Sequence, residues 1–220
     1  EAHGGLGLGY VEYAIILEEI AKVSASYAVS VAVTGLPQVI LASMGTEEQK
    51  AAHLPGLAMG ETIGAFALSE PDSGSDAGSL QATAERDGDD YVLNGTKFWI
   101  THGGYASIYV VMARTGGPGP RGVSAFLVPG DADGLSFGKK EEKMGLRSSP
   151  TVELVMKNVR IPATNRIGAE GDGFKVAMSA LDSGRITIAA ISVGIAQAAM
   201  DTAAAYATQR VQFNQPIIDF

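Results

Sequence analysis

The sequence contains no cysteine, which excludes disulfides, thiolate metal sites, iron–sulfur clusters and a cysteine nucleophile. Its three histidines, His3, His53 and His102, lie far apart without ligand spacing, so no metal site is expected. A redox reaction in such a chain needs an organic cofactor. Cations are outnumbered: the net charge of −8 argues against generic binding to nucleic acid or acidic membranes. An anionic ligand must therefore be met by local donors. No stretch holds 18 uncharged apolar residues, so no membrane span is expected, and no signal peptide is visible. The chain opens without Met inside "EAHGGLGLGY" and stops at "QPIIDF" without a closing polar turn. Both ends read as cuts in a longer chain.

What is present is ample core material. With 46% hydrophobic and 18% charged residues, the 220-residue chain reads as a soluble, well-packed protein, long for one domain and short for two. Residues 10–60 read as helical. "YVEYAIILEEIAKVSASYAVSVAV" is apolar on nearly every face and reads as one helix buried on several sides. "GLPQVILASMG" reads as a second helix ending at Gly45. "GTEEQKAAHLPGLAMG" opens with a capping box, Thr46 with Gln49, carries Pro55 as a kink or break, and stops at Gly60.

From Thr62 to about Ile167 the pattern changes to strands: "TIGAFAL", "ATAERDGDDYVLNGTKFWIT", "ASIYVVMART", "VSAFLVPG" and "VELVMKNVRIP". "RDGDD", "NGT", "HGG", "GGPGPRG" and "GDADG" read as the turns between them. That spacing predicts a small antiparallel barrel or sandwich. From Gly171 on, about 40 residues without proline predict a helix of roughly 60 Å, longer than one domain needs. The expected fold class is α+β: a partial helical domain over 1–61, a central antiparallel β-barrel over 62–168, and the start of a C-terminal helical bundle over 169–220.

Several motifs stand out against plain alternatives. "GGLGLGY" lacks the spacing and the preceding strand of a dinucleotide fingerprint and reads as a flexible entry to the first helix. "GGPGPRG" reads as a hairpin loop. In "FALSEPDSGSD" period 2 puts Phe66 and Leu68 on one face, and Pro71 ends the strand. Asp72, Ser73, Ser75 and Asp76 either make ordinary Asx- and ST-turns or present hydroxyls and backbone N–H groups to a planar polar ligand. In "KFWIT", Trp99 and Thr101 share one face by alternation, as a core pair or as a ring beside a hydroxyl on a ligand surface. Asp182 and Arg185 of "LDSGR" form either a surface ion pair or a ligand contact. Gly184 between them costs about 1 kcal/mol in a helix and suggests a close approach. "QRVQF" reads as a solvated helix end or as a binding group.

In this order and spacing, "GGLGLG", "GTEEQKAAHLPGLAMGE", "FALSEPDSGSD", "LNGTKFWITHGG", "KMGLRSS", "GDGFKVAMSALDSGRITIAA" and "QRVQF" resemble the acyl-CoA dehydrogenase family of flavoproteins, in its short/medium-chain-like branch. The resemblance implies FAD as cofactor. It places Phe66, Leu68, Ser69, Ser75, Trp99, Ile100, Thr101, Arg210, Gln212 and Phe213 at the flavin, the last three across a subunit interface. Ser75, Asp182 and Arg185 fall at the CoA substrate. Ser73 stands where the family often has Ala, and Asn214 where Gly is commoner. The implied reaction is α,β-dehydrogenation of an acyl-CoA to the trans-2-enoyl-CoA within fatty-acid metabolism. Electrons would pass to an electron-transferring flavoprotein, and the assembly would be a homotetramer without nucleic acid or membrane span. The setting would be the bacterial cytoplasm or the mitochondrial matrix. No carboxylate matches the catalytic base, which is expected in a C-terminal segment outside these residues. Two alternatives stay open: an acyl-CoA oxidase-like or other flavoenzyme on the same fold, and a non-catalytic scaffold.

Overall fold

The computed structural model describes residues 2–220. Three helices come first: α1 (Tyr10–Val23), α2 (Ala25–Met44) and α3 (Glu47–Met59). The first break falls at Ser24, not near Gly35 as expected. Ser24 is extended (φ −151°, ψ 100°), and its hydroxyl accepts from Tyr27 N at 3.3 Å, capping α2. Gly35 and Pro37 then lie inside α2, and an added Cβ at Gly35 would meet the Tyr13 hydroxyl of α1 at 2.8 Å. The capping box of α3 forms as read, with Gln49 N bonded to Thr46 Oγ1 at 3.2 Å and Thr46 N to Gln49 Oε1 at 3.0 Å. Pro55 is carried through without ending α3, and Gly60 stops the helix in the left-handed region (φ 74°).

The middle of the chain forms β1 (Gly64–Ala67), β2 (Thr83–Asp87), β3 (Asp90–Thr101), β4 (Ile108–Arg114), β5 (Val123–Pro129), β6 (Leu135–Phe137), β7 (Thr151–Pro162) and β8 (Arg166–Ile167). Their order is β6-β7-β3-β2-β4-β5-β8, with β1 alongside β4. The sheet is mixed, not antiparallel throughout: β1 and β2 both run parallel to β4. No pairing between the outer strands closes it into a barrel among the described residues. "NGT" is also not a turn. Asn94, Gly95 and Thr96 lie within β3, where the pairing with β7 slips by a residue and Gly95 takes φ 137°. The extra residue of that bulge lies on β7, and a Cβ at Gly95 would lie 2.6 Å from that of Ala82, so the close approach of Ala82 requires glycine.

Two cores sit on opposite faces of the sheet. Phe66, Leu68, Val110, Met112, Ala125 and Leu127 face α2, α3 and the start of the last helix. Ala65, Ala67, Tyr91, Tyr109, Phe126 and Leu154 fill the other side. The alternation of β1 is thus a choice between two cores. The last helix, α4 (Gly173–Gln209), runs 37 residues, about 55 Å at ~1.5 Å per residue. Gly194 lets it cross α1 closely, since a Cβ would fall 2.3 Å from the Glu18 carbonyl oxygen. Gly184 does not mark the close approach expected there: an added Cβ would meet only Leu36 Cδ2, at 3.6 Å. Beyond α4, β9 (Val211–Gln212) and β10 (Gln215–Pro216) make a small hairpin. Its turn residues Phe213 (φ 49°) and Asn214 (φ 64°) are both left-handed, which suits a two-residue hairpin.

Against the expectation of no spanning run, α2 and α4 are each long and apolar enough to cross a membrane by length and composition alone. In the fold, α2 packs on α1, α3, α4 and β1, and α4 packs on α1, α2 and β5.

Candidate active site

The residues singled out in "FALSEPDSGSD" and "KFWIT" are brought together by a buried ion pair. Lys97 is fully buried in β3, and its Nζ donates to Glu70 Oε1 at 2.7 Å and to the Leu68 carbonyl at 3.0 Å. The Glu70 carboxylate accepts from Gln81 N at 2.5 Å and Ala82 N at 2.9 Å, closing the loop 70–82. Phe98 N donates to the Ser69 carbonyl at 2.8 Å. Burial pushes the Lys97 ammonium down to about 8, outweighing the upward pull of Glu70. Leu68 and Ser69 are therefore fixed against the start of "KFWIT" by charge-assisted bonds in a dry setting. Sequence reading assigned neither Lys97 nor Glu70 a role. A signal existed: period 2 from Tyr91 and Leu93, both buried, carries Lys97 to the same inward face.

Alternation fails just past Lys97. Between Lys97 and Ile100 the β3–β7 register shifts again, and Trp99 takes φ 58°. The bulge turns the Trp99 ring out, 65% exposed, and sends Ile100 into the core at 2%. The Ile100 side chain thus packs inward, and the residue can meet a ligand only through its backbone. Trp99 and Thr101 still open on one cavity of about 480 Å³, together with Val29 of α2 and Lys143, Ser149 and Thr151. Thr101 lies opposite Thr151 in the ladder. The next residue, His102, is also left-handed (φ 67°), with Nδ1 3.2 Å from the Gly64 carbonyl oxygen. Burial holds its imidazole below the usual histidine range, against a smaller upward contribution from that carbonyl.

The remaining candidates lie elsewhere. Phe66 is half-buried against the helix-facing core, with Leu68 beside it. In the loop, Ser73 Oγ donates to the Asp76 carbonyl at 2.8 Å, as the turn reading expects, while Ser75 stays exposed. Ser75 lines a different cleft, about 550 Å³, with Arg114 and Phe174. Arg114 donates to the carbonyls of Gly78, Leu80, Gly117 and Gly119, tying "GGPGPRG" to the loop after Ser75. This stretch joins antiparallel β4 and β5, as a hairpin loop should. Asp182 and Arg185 pair with each other on the exposed surface of α4. Arg210, Gln212 and Phe213 are exposed at the terminal hairpin and line neither cavity.

Helices, a mixed sheet and a long final helix follow one another along the chain, with the Trp99–Thr101 cavity lined by strand ends, the 141–149 loop and Val29 of α2. Models of the acyl-CoA dehydrogenase N-terminal, middle and C-terminal domains match residues 1–61, 65–159 and 171–220 in turn. The chain belongs to the acyl-CoA dehydrogenase family. It is 48% identical to an acyl-CoA dehydrogenase of Bacillus subtilis (strain 168) over 219 residues, 99% of this chain and 58% of that protein. Butyryl-CoA dehydrogenase from Megasphaera elsdenii superposes with a TM-score of 0.95 at 43% identity, covering 98% of this chain and 57% of that one. An acyl-CoA dehydrogenase complexed with FAD from Bacillus anthracis gives 0.93 at 39% identity, covering 100% and 38%. The chain spans between 52% and 59% of the length of the curated relatives it matches first.

Proposed function

We propose that the whole protein is an FAD-dependent acyl-CoA dehydrogenase that forms the trans-2-enoyl thioester and passes electrons to an electron-transferring flavoprotein. The observation that carries this reading is the cavity shared by Trp99 and Thr101, pinned through Lys97 and Glu70 to the Leu68–Ser69 segment. Its chemistry suits a flavin: an exposed ring to cover a planar face, a free hydroxyl at Thr101, and a buried Ser149 Oγ without a hydrogen-bond partner. FAD, when bound, supplies the acceptor for the β-hydrogen. The chain's part is to orient that ring system with Leu68, Ser69, Trp99 and Thr101, to hold a hydrogen bond at Thr101, and to exclude water with the helix-facing core. Ser75, Asp182 and Arg185 are assigned to the CoA portion. Phe66 and the backbone of Ile100 complete the flavin wall.

Arg210, Gln212 and Phe213 are exposed and away from the cavity, which supports their assignment to the cofactor of a neighbouring copy. Arg suits a pyrophosphate by its forked charge. The apolar side chains left exposed on α4, among them Ile188, Val193 and Met200, support burial in a bundle and a homotetramer. Residues 1–61, 62–168 and 169–220 are read as three domains. Among the described residues no carboxylate is assigned the role of base, although Glu141 and Glu142 line the cavity. Glu70 is committed to Lys97, Asp182 is paired with Arg185, and Glu61 is exposed at the end of α3. The family resemblance assigns the base to a part of the protein outside these residues.

The test is direct. Purified full-length protein should be yellow and should bleach anaerobically on addition of a short acyl-CoA. Reoxidation should be fast with an electron-transferring flavoprotein and slow with oxygen. Fast reaction with oxygen would point to an oxidase, and failure to take up FAD would sink the reading.

A further inference from the structure

We propose that Lys143, with Ser149, forms a second, cationic wall of the Trp99–Thr101 cavity, binding the electron-rich edge of the flavin and favouring its reduced form. This rests on the FAD reading above. It starts from Lys143, which that reading did not use.

Lys143 Nζ donates to the Ser149 carbonyl at 2.5 Å and to Thr151 Oγ1 at 3.0 Å. An ammonium has three donors, so one is left over. None of the ion pairs among the described residues includes Lys143. Glu141 and Glu142 also line the cavity, but Glu142 reaches Lys139, at 3.6 Å, and Glu141 accepts no bond from Lys143. Burial, and secondarily Lys140, push the Lys143 ammonium below the usual lysine range. A charge partly stripped of water and without a counter-ion gains from an acceptor at the cavity.

Position makes the acceptor specific. Thr151, which takes one Lys143 bond, is the ladder partner of Thr101. The cation thus bonds to the ladder partner of Thr101, the side chain proposed to hold a hydrogen bond to the flavin. Ser149 is 1% exposed, and its Oγ is the one buried side-chain polar atom without a partner among the described residues. An unpaired buried hydroxyl is costly, and a ligand seated over this wall would relieve that cost. A fixed positive charge also binds a reduced, more electron-rich ring better than an oxidised one.

The rival account is that Lys143 merely latches the 138–150 loop, to which Arg147 adds a bond from its Nε to the Lys143 carbonyl. Full-length enzyme separates the two. Its Lys143→Met, Lys143→Gln, Lys143→Arg and Ser149→Ala forms would be compared for FAD dissociation constant, flavin midpoint potential by dye equilibration, and melting temperature without cofactor. Loss of one charge-assisted bond predicts roughly tenfold or greater weakening of FAD binding in the Met and Gln forms. The midpoint potential should fall in both, and Arg should restore it. Ser149→Ala should weaken FAD binding yet leave the cofactor-free melting temperature unchanged or raised. Gln keeps donors for Ser149 and Thr151, so it decides the matter should Met fail to fold. Variants that melt earlier but keep the parental FAD affinity and potential would overturn the proposal. A parent enzyme that takes up no FAD would instead overturn the functional reading, before any variant is compared.

Discussion

Replacing Lys97 with Met should be the most damaging single change in the sheet. Met matches the stem of lysine but removes the charge and both donors, to Glu70 at 2.7 Å and Leu68 at 3.0 Å. Glu70 would keep its two amide donors, Gln81 N and Ala82 N, and lose its only cation. Removing one partner of a buried pair costs about 3–5 kcal/mol. In a protein of this size each kcal/mol moves the melting temperature by ~2–4 °C, so a loss on the order of 10 °C is expected at pH 7. Calorimetry on the full-length protein would measure it.

The pH dependence gives a second, sharper check. The Lys97 pKa is lowered from 10.5 to about 8, with burial as the main cause. Between those values the unfolded chain binds the extra proton and the folded one does not, so stability rises with pH across the window. The full change amounts to about 3 kcal/mol, and below pH ~8 the group contributes no slope. This does not conflict with the cost of Lys97→Met: a neutral amine still donates to Glu70 and Leu68, whereas Met cannot. Parent protein should therefore gain stability from about pH 8 towards 10, and the variant should lack that gain. A variant within ~1 kcal/mol of the parent, or one with the same alkaline slope, would refute the reasoning.

Four further outcomes are expected. Thr101→Val should slow flavin reduction in stopped-flow by on the order of 1–3 kcal/mol while leaving substrate affinity nearly unchanged; equal rates would contradict its role. Gly184→Glu should leave the fold intact, since an added Cβ there would meet only Leu36 Cδ2, at 3.6 Å; a clear drop in melting temperature would count against that open space. Gly194→Ala should lower stability by roughly 1–3 kcal/mol in thermal melts, because its Cβ would press on the Glu18 carbonyl at 2.3 Å. Burial depresses the His102 pKa, so the folded state resists protonation and loses stability as pH falls through the unfolded value of ~6.5; His102→Asn should flatten that acid limb, and an unchanged limb would exonerate His102.

How much of this was legible in sequence depends on whether one pattern acted alone. Thr46 with Gln49 and Gly60 named the ends of α3 because capping chemistry is local. The alternation of "FALS" correctly separated Phe66 and Leu68 from Ala67, since each face of β1 meets its own core. Where two local signals competed, composition alone did not decide. Gly35 and Pro37 look like a helix break, yet α2 runs through both and the chain breaks at Ser24, whose hydroxyl caps α2. "NGT" has hairpin composition, but β3 runs on through it in pairing with β7, and Gly95 makes room for Ala82. Strand direction was the least legible. β1 and β2 both run parallel to β4, β2 because antiparallel β3 carries the chain back between them, and no turn residue encodes that.

The pairing of Trp99 with Thr101 came out of the sequence for a reason the structure replaces. Strict alternation puts both on one face, but it would also put Trp99 on the buried face of Lys97. The left-handed residue at Trp99 resets the phase, so Lys97 and Ile100 go inward while Trp99 and Thr101 reach the same cavity. Two left-handed non-glycine residues within four positions each cost about 1–2 kcal/mol and persist only where the surroundings fix them. Here Ile100 is anchored in the core between them, and it pairs with Val152 as Thr101 does with Thr151. His102 N bonds to the Pro150 carbonyl at 3.0 Å, and the His102 carbonyl accepts from Tyr105 and Ala106 at 2.9 Å each. The ring and the hydroxyl are thus presented by one strained turn held at both ends, and neither can move without the other. A reaction that needs a planar cofactor covered and hydrogen-bonded in fixed relation gains from that coupling, because the orientation is set before the ligand arrives.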